Sequence, residues 1–472
     1  MNREAPVGYS AREVALERIL AQAMRFPDLD FTSTRTASRA DAEGGRAVDP
    51  RDAALARAIE HAVVRRYLTL IACIRPHLAK NWPLLEKPIQ AALLAGAAQI
   101  LFLDRVPAAA AVDASVEWTK RRLRPGAGGL VNAVLRKVAG SVAERIPAGD
   151  AAVLDHTRRD LVPLADGSAL RLAEQTFSED AAAAISEKTS HARELVLHWI
   201  GAFGFKEAQR IALHDLVDAP LIVTPFDPGD ARFSGVATAH EEPGFGVWKG
   251  THAELTALLA EMPHLRVQDP TAATTVGMLA GTPVSVLVQA IQREPRVIVD
   301  LCAGRGTKTK QLAEMFPNAT IYATDPDEPR FEALVRLRER HPNIKALGHE
   351  LLFRDTAGRA DLVLLDVPCS NSGVLARRPE ARYRFTKQRT QSVIELQQKI
   401  ADPAIGLLAP QGAVLYATCS IEHAENGAQV RRLVNRHALV PVLDRTIMPA
   451  CLPGEALSSY RDGGFHALLV KP

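Results

Sequence analysis

Two short apolar runs, each ending in a cysteine motif, constrain the fold of this chain more than any other feature. Residues 361–366 read Asp-Leu-Val-Leu-Leu-Asp and lead into Val-Pro-Cys369-Ser, while a second run ends in Tyr-Ala-Thr-Cys419-Ser. Runs of Val and Leu that stop abruptly at small or polar residues are typical of buried parallel strands. Because open α/β sheets bind ligands beyond the carboxyl ends of their strands, we expect both cysteines to lie at one functional edge.

Strand-like and helix-like patterns alternate in the last part of the chain, as they do in a doubly wound sheet. The predicted strands cover residues 297–300, 320–324, 361–365, 413–417 and 465–470. The predicted helices cover residues 308–315, 329–340 and 388–408. This alternation predicts a Rossmann-like α/β catalytic domain over residues 267–472.

The first part of the chain is helical almost throughout, with apolar residues at three- and four-residue spacing. The predicted helices cover residues 11–24, 53–78, 87–103, 107–122 and 129–139, and a polar segment at residues 32–49 is expected to be an exposed connection. Pro, Gly and Asp punctuate the gaps between these helices. The pattern predicts an all-α domain.

Composition excludes several classes of protein. Five cysteines, widely scattered and without a Cys-x-x-Cys pair, argue against a disulfide framework and a zinc site, and they suit a reducing cytoplasm. No apolar run has the length of a membrane span, and the first residues lack the apolar core of a signal peptide. We therefore expect a cytoplasmic monomer without a metal or a membrane partner. The formal charge of +3 permits a nucleic-acid partner.

The N-terminal helices resemble a known RNA-binding domain. Residues 93–107 (Leu-Leu-Ala-Gly-Ala-Ala-Gln-Ile-Leu-Phe-Leu-Asp-Arg-Val-Pro) and residues 131–136 (Val-Asn-Ala-Val-Leu-Arg) are similar to the central and terminal helices of the NusB-type domain. The resemblance implies an all-α, RNA-binding domain over residues 9–140, in which most of the apolar positions are core. Basic candidates for contacts with RNA phosphates are Arg105, Lys120, Arg121, Arg122, Arg124 and Arg136.

The middle of the chain carries weaker patterns. Residues 141–190 are rich in alanine and acidic side chains, and they predict a linker or insertion in which residues 161–177 form a hairpin or an irregular insertion. Residues 191–266 combine two helical stretches with short strand-like pieces at residues 220–224 and 246–249, which predicts a small α/β linker subdomain.

A glycine turn follows the first strand of the C-terminal domain. Glycines there let the backbone approach a ligand closely, and the following helix offers free N–H groups at its N-terminus. Asp325, at the end of the next strand, can accept hydrogen bonds from ribose hydroxyls. Pyridine dinucleotides and S-adenosylmethionine both use this layout. The candidate cofactor-binding residues in the turn are Cys302, Ala303, Gly304, Arg305, Gly306, Thr307 and Lys308.

The two cysteine motifs distinguish these cofactors, because they have no role in hydride transfer. Together with the glycine turn, they resemble the RsmB/Sun (Fmu) family of S-adenosylmethionine-dependent 16S rRNA cytosine-5 methyltransferases. That family joins a NusB-like domain to this catalytic domain, so the resemblance covers nearly the whole chain. It implies a multidomain fold, with an all-α NusB-like N-terminal domain and an α/β class I (Rossmann-like) S-adenosylmethionine-dependent methyltransferase domain. It also implies S-adenosylmethionine as cofactor and RNA, namely 16S rRNA, as partner.

The resemblance assigns a role to each motif residue. Cytosine C5 is too weak a nucleophile to take a methyl group from a sulfonium, whereas a thiolate that adds to C6 makes C5 enamine-like. The resemblance implies that Cys419 attacks C6 and that Cys369 assists product release. Asp366 is then the acid near both base and cofactor, where it hydrogen-bonds the N3/N4 edge of the base. Core packing is the alternative role for an isolated cysteine.

Basic residues near these motifs also match the family. Lys308 corresponds to its loop lysine, which implies a position near cofactor or substrate. Arg377, Arg378 and Arg382 correspond to its basic stretch, which implies contacts with the RNA backbone, although a solvated basic face is the alternative for each. The target base has to lie in a loop or be flipped out of a stack to reach a thiol.

Two positions depart from the family pattern. The glycine turn of the family usually reads Cys-Ala-Ala-Pro-Gly-Gly-Lys-Thr, whereas residues 302–309 read Cys-Ala-Gly-Arg-Gly-Thr-Lys-Thr. Gly304 and Gly306 keep a general Gly-x-Gly layout, so we expect cofactor binding to survive. The acid that the family places after its third strand has no clear equivalent here, and Glu350 is the candidate.

Two other functions stay open at this point. The chain can be a non-catalytic RNA-binding or ribosome-assembly factor that retains the methyltransferase fold, since its glycine turn is altered. It can also be a class I methyltransferase that acts on an exocyclic amine, a reaction that does not need Cys419.

Overall fold

The computed structural model describes residues 10–30, 50–155, 157–280 and 285–472, so the polar connection predicted at residues 32–49 lies outside the described residues. The chain divides into two compact units. The first contains Met1–Asp218, Leu375–Thr386 and Leu452–Glu455, and the second contains Ala219–Val374, Lys387–Cys451 and Ala456–Pro472. The units do not coincide with the four predicted segments, because the chain passes from one unit to the other more than once.

Five α-helices lie among the described residues before Ser141. They are α1 (Ala11–Arg25), α2 (Pro50–Ile74), α3 (Lys87–Phe102), α4 (Ala108–Arg122) and α5 (Pro125–Gly140). Helix α3 consists largely of alanine and leucine, is buried on nearly all sides and packs against each of the other four. Gly96 of α3 has no room for a Cβ, because Leu135 of α5 fills that space. This arrangement confirms the predicted all-α region.

The rest of the first unit contains a small antiparallel sheet and further helices. The strands are β1 (Val142–Ile146), β2 (Leu161–Pro163) and β3 (Ala169–Leu172), and the helices are α6 (Ala181–Thr189), α7 (Arg193–Phe203) and α8 (Phe205–His214). Strands β2 and β3 pair antiparallel, which confirms the predicted hairpin. The sequence does not indicate β1, because its side chains are mostly exposed and lack an apolar alternation.

The segment Leu375–Thr386 carries a basic residue into the core of the first unit. Arg382 is fully buried. Its guanidinium donates hydrogen bonds to the backbone oxygens of Arg65 at 3.0 Å, Leu375 at 3.3 Å and Asp215. Burial lowers the pKa of Arg382 from its ordinary value. The predicted RNA contact of Arg382 is therefore wrong, because its donors bind internal carbonyl groups.

Replacing Arg382 by alanine should lower the free energy of unfolding by about 3 kcal/mol, because three buried carbonyl oxygens lose their donor. Thermal unfolding followed by circular dichroism measures this change. The matched control is Arg378→Ala, because Arg378 is exposed and lies 3.5 Å from Glu380, so its removal should change stability by less than about 1 kcal/mol. Unchanged stability together with weaker RNA binding in Arg382→Ala would restore the original prediction.

The second unit begins with a four-stranded antiparallel sheet. Its strands are β4 (Ile222–Thr224), β5 (Ala237–Ala239), β6 (Gly246–Trp248) and β7 (Arg266–Val267), in the order β5-β6-β4-β7. Helix α9 (His252–Glu261) precedes β7. Strands β4 and β6 correspond to the strand-like pieces predicted at residues 220–224 and 246–249.

A seven-stranded sheet organises the remainder of this unit. Its strands are β8 (Val297–Asp300), β9 (Thr320–Ala323), β10 (Ile344–Ala346), β11 (Ala360–Asp366), β12 (Leu408–Thr418), β13 (Val440–Ile447) and β14 (Gly464–Val470). The helices are α10 (Pro270–Gly277), α11 (Val286–Ile291), α12 (Thr307–Met315), α13 (Glu328–Leu337), α14 (His349–Thr356), α15 (Lys387–Ala404) and α16 (Gly427–His437). No helix in the described part of the chain combines the length and apolar character needed to cross a bilayer.

The order of this sheet is β10-β9-β8-β11-β12-β14-β13. The first five strands in the order run parallel, and β14 and β13 are antiparallel to their neighbours. Alternate residues of β11 enter separate apolar clusters on the two faces, one with α15 and α16 and the other with α10, α11 and α12. The Rossmann-like fold is confirmed, and the carboxyl ends of β8, β11 and β12 meet at one edge.

Candidate active site

Two thiols meet beyond the carboxyl ends of β11 and β12. Sγ of Cys369 lies 3.2 Å from Sγ of Cys419, within hydrogen-bond distance for sulfur, and both side chains are partly exposed. Asn371 contacts both residues. Its Oδ1 accepts a hydrogen bond from Sγ of Cys419 at 3.4 Å, and its Nδ2 donates one to the backbone oxygen of Cys369 at 3.2 Å. The structure thus brings together the two cysteines that the sequence indicates.

Backbone contacts hold the two cysteine loops against each other. The N–H of Val367 donates to the oxygen of Ala417 at 3.1 Å, and the N–H of Gly373 donates to the oxygen of Cys419 at 3.0 Å. A Cβ at Gly373 would lie 2.6 Å from the backbone of Gly463. The same Cβ would lie 3.0 Å from the backbone oxygen of Cys419, so glycine at this position allows its loop to approach both backbones closely.

An ion pair lies at the end of β11. Nζ of Lys308, in the first turn of α12, donates to Oδ2 of Asp366 at 2.7 Å, and the Asp366 side chain is 31% exposed. Burial acts to lower the pKa of Lys308, but the Asp366 carboxylate outweighs it and raises the pKa above its ordinary value. The Lys308 ammonium therefore stays charged at neutral pH, beside an acid that a ligand can reach.

The Cys369 thiol is held in its neutral form. The hydrogen bond with Cys419 and burial raise the pKa of Cys369 well above its usual value, and the charges of Cys419 and Glu425 act in the same direction. Cys369 therefore keeps its proton over the physiological pH range and can donate an S–H hydrogen bond to Cys419.

The glycine turn has the backbone conformation that a cofactor loop requires. Gly304 has φ +58° and Gly306 has φ +86°, both in the left-handed region, and a Cβ on Gly306 would collide with Leu337. Helix α12 begins directly after Gly306, so its first N–H groups point toward the carboxyl edge of the sheet. The turn is formed by the predicted cofactor residues Cys302, Ala303, Gly304, Arg305, Gly306, Thr307 and Lys308.

Asp325 lies directly after β9 and is linked to this turn. Its Oδ2 accepts from the N–H of Gly304 at 2.9 Å, and its Oδ1 accepts from the N–H of Asp327 at 3.0 Å. A carboxylate has about four acceptor positions, so two more hydrogen bonds can form. An acid at this place fits the ribose of a nucleoside cofactor such as S-adenosylmethionine.

A second acidic residue is buried at the carboxyl end of β8, beneath the glycine turn. Asp300, the last residue of β8, is fully buried, and its Oδ2 accepts from Oγ1 of Thr309 at 2.7 Å. Burial raises the pKa of Asp300 to about 7. The bond to Thr309 attaches α12 to β8, which fixes the base of the glycine turn. Glu350, the candidate acid after the third strand, is exposed in the first turn of α14.

The other predicted RNA contacts stay predictions. Within the first unit, Arg377 is half-buried and Arg378 is exposed. Several basic side chains of the helical region form ion pairs, which reduces the charge that they offer to RNA. These pairs are Lys120 with Glu117, Arg121 with Glu13 and Arg124 with Glu86.

Three polar residues of this edge were not predicted from the sequence. They are Asn371, Gln397 and Glu425, and the last two are fully buried. Asn371 and Glu425 could have been predicted as site residues, because each is a polar residue a few positions from a cysteine motif. Gln397 lies on α15, far from either motif in the sequence, and nothing local indicates its place at the site.

Comparisons with known proteins match two regions of the chain. Residues 9–140 match the NusB family, and residues 287–451 match the family described as 16S rRNA methyltransferase RsmB/F. The chain is 29% identical over 442 residues to ribosomal RNA small subunit methyltransferase B of Xanthomonas campestris pv. campestris, with 90% of each chain covered. The protein of the same name from Escherichia coli O6:K15:H31 is 26% identical over 454 residues, which cover 90% of this chain and 92% of that one. The crystal structure of PH0851 shares the fold, with a TM-score of 0.64 and 20% identity over 99% of this chain and 100% of that chain.

Proposed function

Because residues 287–451 match the family described as 16S rRNA methyltransferase RsmB/F, we propose that the chain methylates C5 of a cytosine in small-subunit rRNA through a covalent bond between Cys419 and C6. The observation that carries this proposal is the pair of thiols 3.2 Å apart. A methyltransferase that acts on an exocyclic amine needs neither thiol. The relatives named ribosomal RNA small subunit methyltransferase B support small-subunit rRNA as the substrate.

Cys419 is the nucleophile. Its thiolate adds to C6 of cytosine, which breaks the aromaticity of the ring and leaves C5 with the electron density of an enamine carbon. S-Adenosylmethionine, when bound, supplies the methyl group as an electrophile. The glycine turn at residues 302–308, Asp325 and Asp366 would hold it.

Asp366 and Lys308 bind the polar edge of the base. The Asp366 carboxylate accepts a hydrogen bond from the N4 amino group of the base and, once N3 is protonated, from the N3–H, which stabilises the positive charge that makes C6 electrophilic. Lys308, whose Nζ lies 2.7 Å from Oδ2 of Asp366, orients that carboxylate. The base has to be flipped or unstacked to reach this pair. Arg377 and Arg378, in the first unit, stay candidates for contacts with the RNA backbone.

Cys369 assists product release. After methylation C5 carries both the new methyl group and its original proton. This proton must leave and the C6–S bond must break before the aromatic ring can re-form. The Cys369 S–H gives its proton to the departing sulfur of Cys419, and the C5 proton replaces it on Cys369, directly or through water. The C5–H electron pair re-forms the C5–C6 double bond, so atoms and electrons balance.

The product identifies the reaction. Incubation of the protein with unmodified 16S rRNA and isotope-labelled S-adenosylmethionine, followed by nuclease digestion and mass spectrometry, should yield labelled 5-methylcytidine. Labelled N4-methylcytidine would instead indicate transfer to the exocyclic amine. If no nucleoside is labelled and calorimetry detects no binding of S-adenosylmethionine, the chain is the non-catalytic RNA-binding factor.

A further inference from the structure

Glu425 is a fully buried acid that contacts both cysteine loops. Its Oε2 accepts a hydrogen bond from the backbone N–H of Ser370 at 2.8 Å, and its Oε1 accepts one from Oγ of Ser420 at 3.0 Å. Ser370 directly follows Cys369, and Ser420 directly follows Cys419. A single carboxylate therefore holds the residue next to each thiol.

Two buried side chains hold Glu425 in place. Gln397 of α15 donates from Nε2 to Oε2 of Glu425 at 3.3 Å and to the backbone oxygen of Pro368 at 3.0 Å. The hydroxyl of Tyr416 donates to the backbone oxygen of Glu425 at 2.7 Å. These contacts fix both the position of the residue and the direction of its carboxylate.

Burying a carboxylate in the protein interior costs free energy. Its removal from water disfavours the ionised form, and burial accordingly raises the pKa of Glu425. An apolar side chain would pack the same volume without this cost. What the carboxylate provides is two strong acceptor oxygens on one rigid plane, and here each oxygen serves one cysteine loop.

We infer that Glu425 is a positioning residue, which holds the backbone of both cysteine loops so that the two thiols stay in contact. It acts through Ser370 and Ser420 rather than on the substrate. The inference deepens the proposed function and rests on it for one consequence, namely that Cys419 and Cys369 act in turn on the same base. The contact between the thiols can be measured without methyl transfer.

The test is the rate at which the thiol oxidant diamide joins Cys369 to Cys419 in the full-length protein. The reaction forms one S–S bond, and two electrons and two thiol protons pass to the azo group, which becomes a hydrazine. Sulfurs 3.2 Å apart need little movement to bond, so the wild-type protein should cross-link rapidly. Glu425→Ala should slow this step on the order of tenfold, because the thiols lose their fixed proximity. Peptide mapping without reductant identifies the disulfide.

Three variants separate positioning from stability. Glu425→Gln keeps an acceptor for Ser370 and an amide beside Ser420, so its cross-linking rate should stay within about threefold of wild type. Glu60→Ala removes another buried acid, in the first unit, and should cross-link like wild type even though it is destabilised. Ser420→Ala removes the hydroxyl that donates to Oε1 of Glu425, together with its hydrogen bonds to Ser370, Ser372 and the N–H of Glu422, and should also slow cross-linking. It provides the test if Glu425→Ala does not fold.

In the methylation assay Glu425→Ala should lower kcat while the KM for S-adenosylmethionine stays the same, and Glu425→Gln should restore kcat. Wild-type cross-linking rates in both Glu425→Ala and Ser420→Ala would overturn the inference. Equal slowing in Glu60→Ala, or a wild-type protein that does not cross-link, would also overturn it. A wild-type protein that cross-links rapidly but methylates no RNA refutes the proposed function and leaves the positioning role of Glu425 intact.

Discussion

Replacing Cys419 by alanine is expected to reduce methyl transfer to RNA by roughly three orders of magnitude or more. Without a thiolate at this place nothing adds to C6, and C5 keeps the poor reactivity of an aromatic carbon. The glycine turn and Asp325 are unchanged in this variant, so the affinity for S-adenosylmethionine should stay near that of the wild type. Incorporation of labelled methyl groups into 16S rRNA measures the rate, and calorimetry measures the binding.

The control for Cys419→Ala is a second cysteine substitution of the same size. Cys73 lies in α2 of the first unit and is buried, and its replacement by alanine removes a thiol from the core rather than from the sheet edge. Cys73→Ala should retain activity within about twofold and lose only stability, about 1 kcal/mol. Wild-type methylation by Cys419→Ala would exclude Cys419 as the nucleophile and favour the exocyclic amine as the methyl acceptor.

The central strands of the catalytic fold are the part that sequence reasoning predicts best. Strand β8 (Val297–Asp300) has the predicted bounds, and β11 (Ala360–Asp366) differs by one residue at each end. Parallel strands covered on both faces are continuous apolar runs, and such runs are visible in a sequence. Strand β13 (Val440–Ile447) was not predicted, because it lies at the edge of the sheet and most of its side chains are exposed. Such an edge strand has no apolar pattern in the sequence, because the segment is a strand through its backbone pairing with the neighbouring strand.

The residues of the candidate site could likewise be predicted only in part. Cys369 and Cys419 were predicted to lie together because each follows a strand, and parallel strand ends meet at one edge. The pairing of Lys308 with Asp366 joins residues 58 positions apart, and the sequence gives no spacing rule for such a contact. Gln397 and Glu425 act through buried hydrogen bonds whose partners are set only by tertiary packing.

The basic stretch shows why charge alone does not assign a role. Arg378 and Arg382 lie four residues apart in the same short segment, but one is exposed and the other is fully buried. An arginine that binds phosphate and one that binds backbone carbonyls use the same N–H groups. The sequence therefore predicts that the segment is basic, whereas the packing around it decides which arginines can meet RNA.

Replacing Cys369 by alanine should have the opposite effect to the Cys419 substitution, because it should trap the covalent bond to RNA. In the proposed reaction the C6–S bond breaks as the Cys369 thiol, 3.2 Å from Cys419, gives a proton to the departing sulfur. Alanine has no proton to give. We expect a protein–RNA complex that survives denaturing gel electrophoresis, and multiple turnover that falls by roughly 10²- to 10³-fold. Methylation within a single turnover should persist.

The complex should depend on S-adenosylmethionine, because an adduct that has not been methylated can revert by the path along which it formed. The double variant Cys369→Ala/Cys419→Ala is the matched control and should form no complex, because it has no sulfur to bond to C6. A Cys369→Ala protein that releases methylated RNA at the wild-type rate would contradict the role of Cys369 in release, and a complex in the double variant would locate the bond at another residue. Because one substitution prevents the C–S bond and the other preserves it, the two thiols are distinguished by opposite results on the same RNA, which general damage to the site cannot produce.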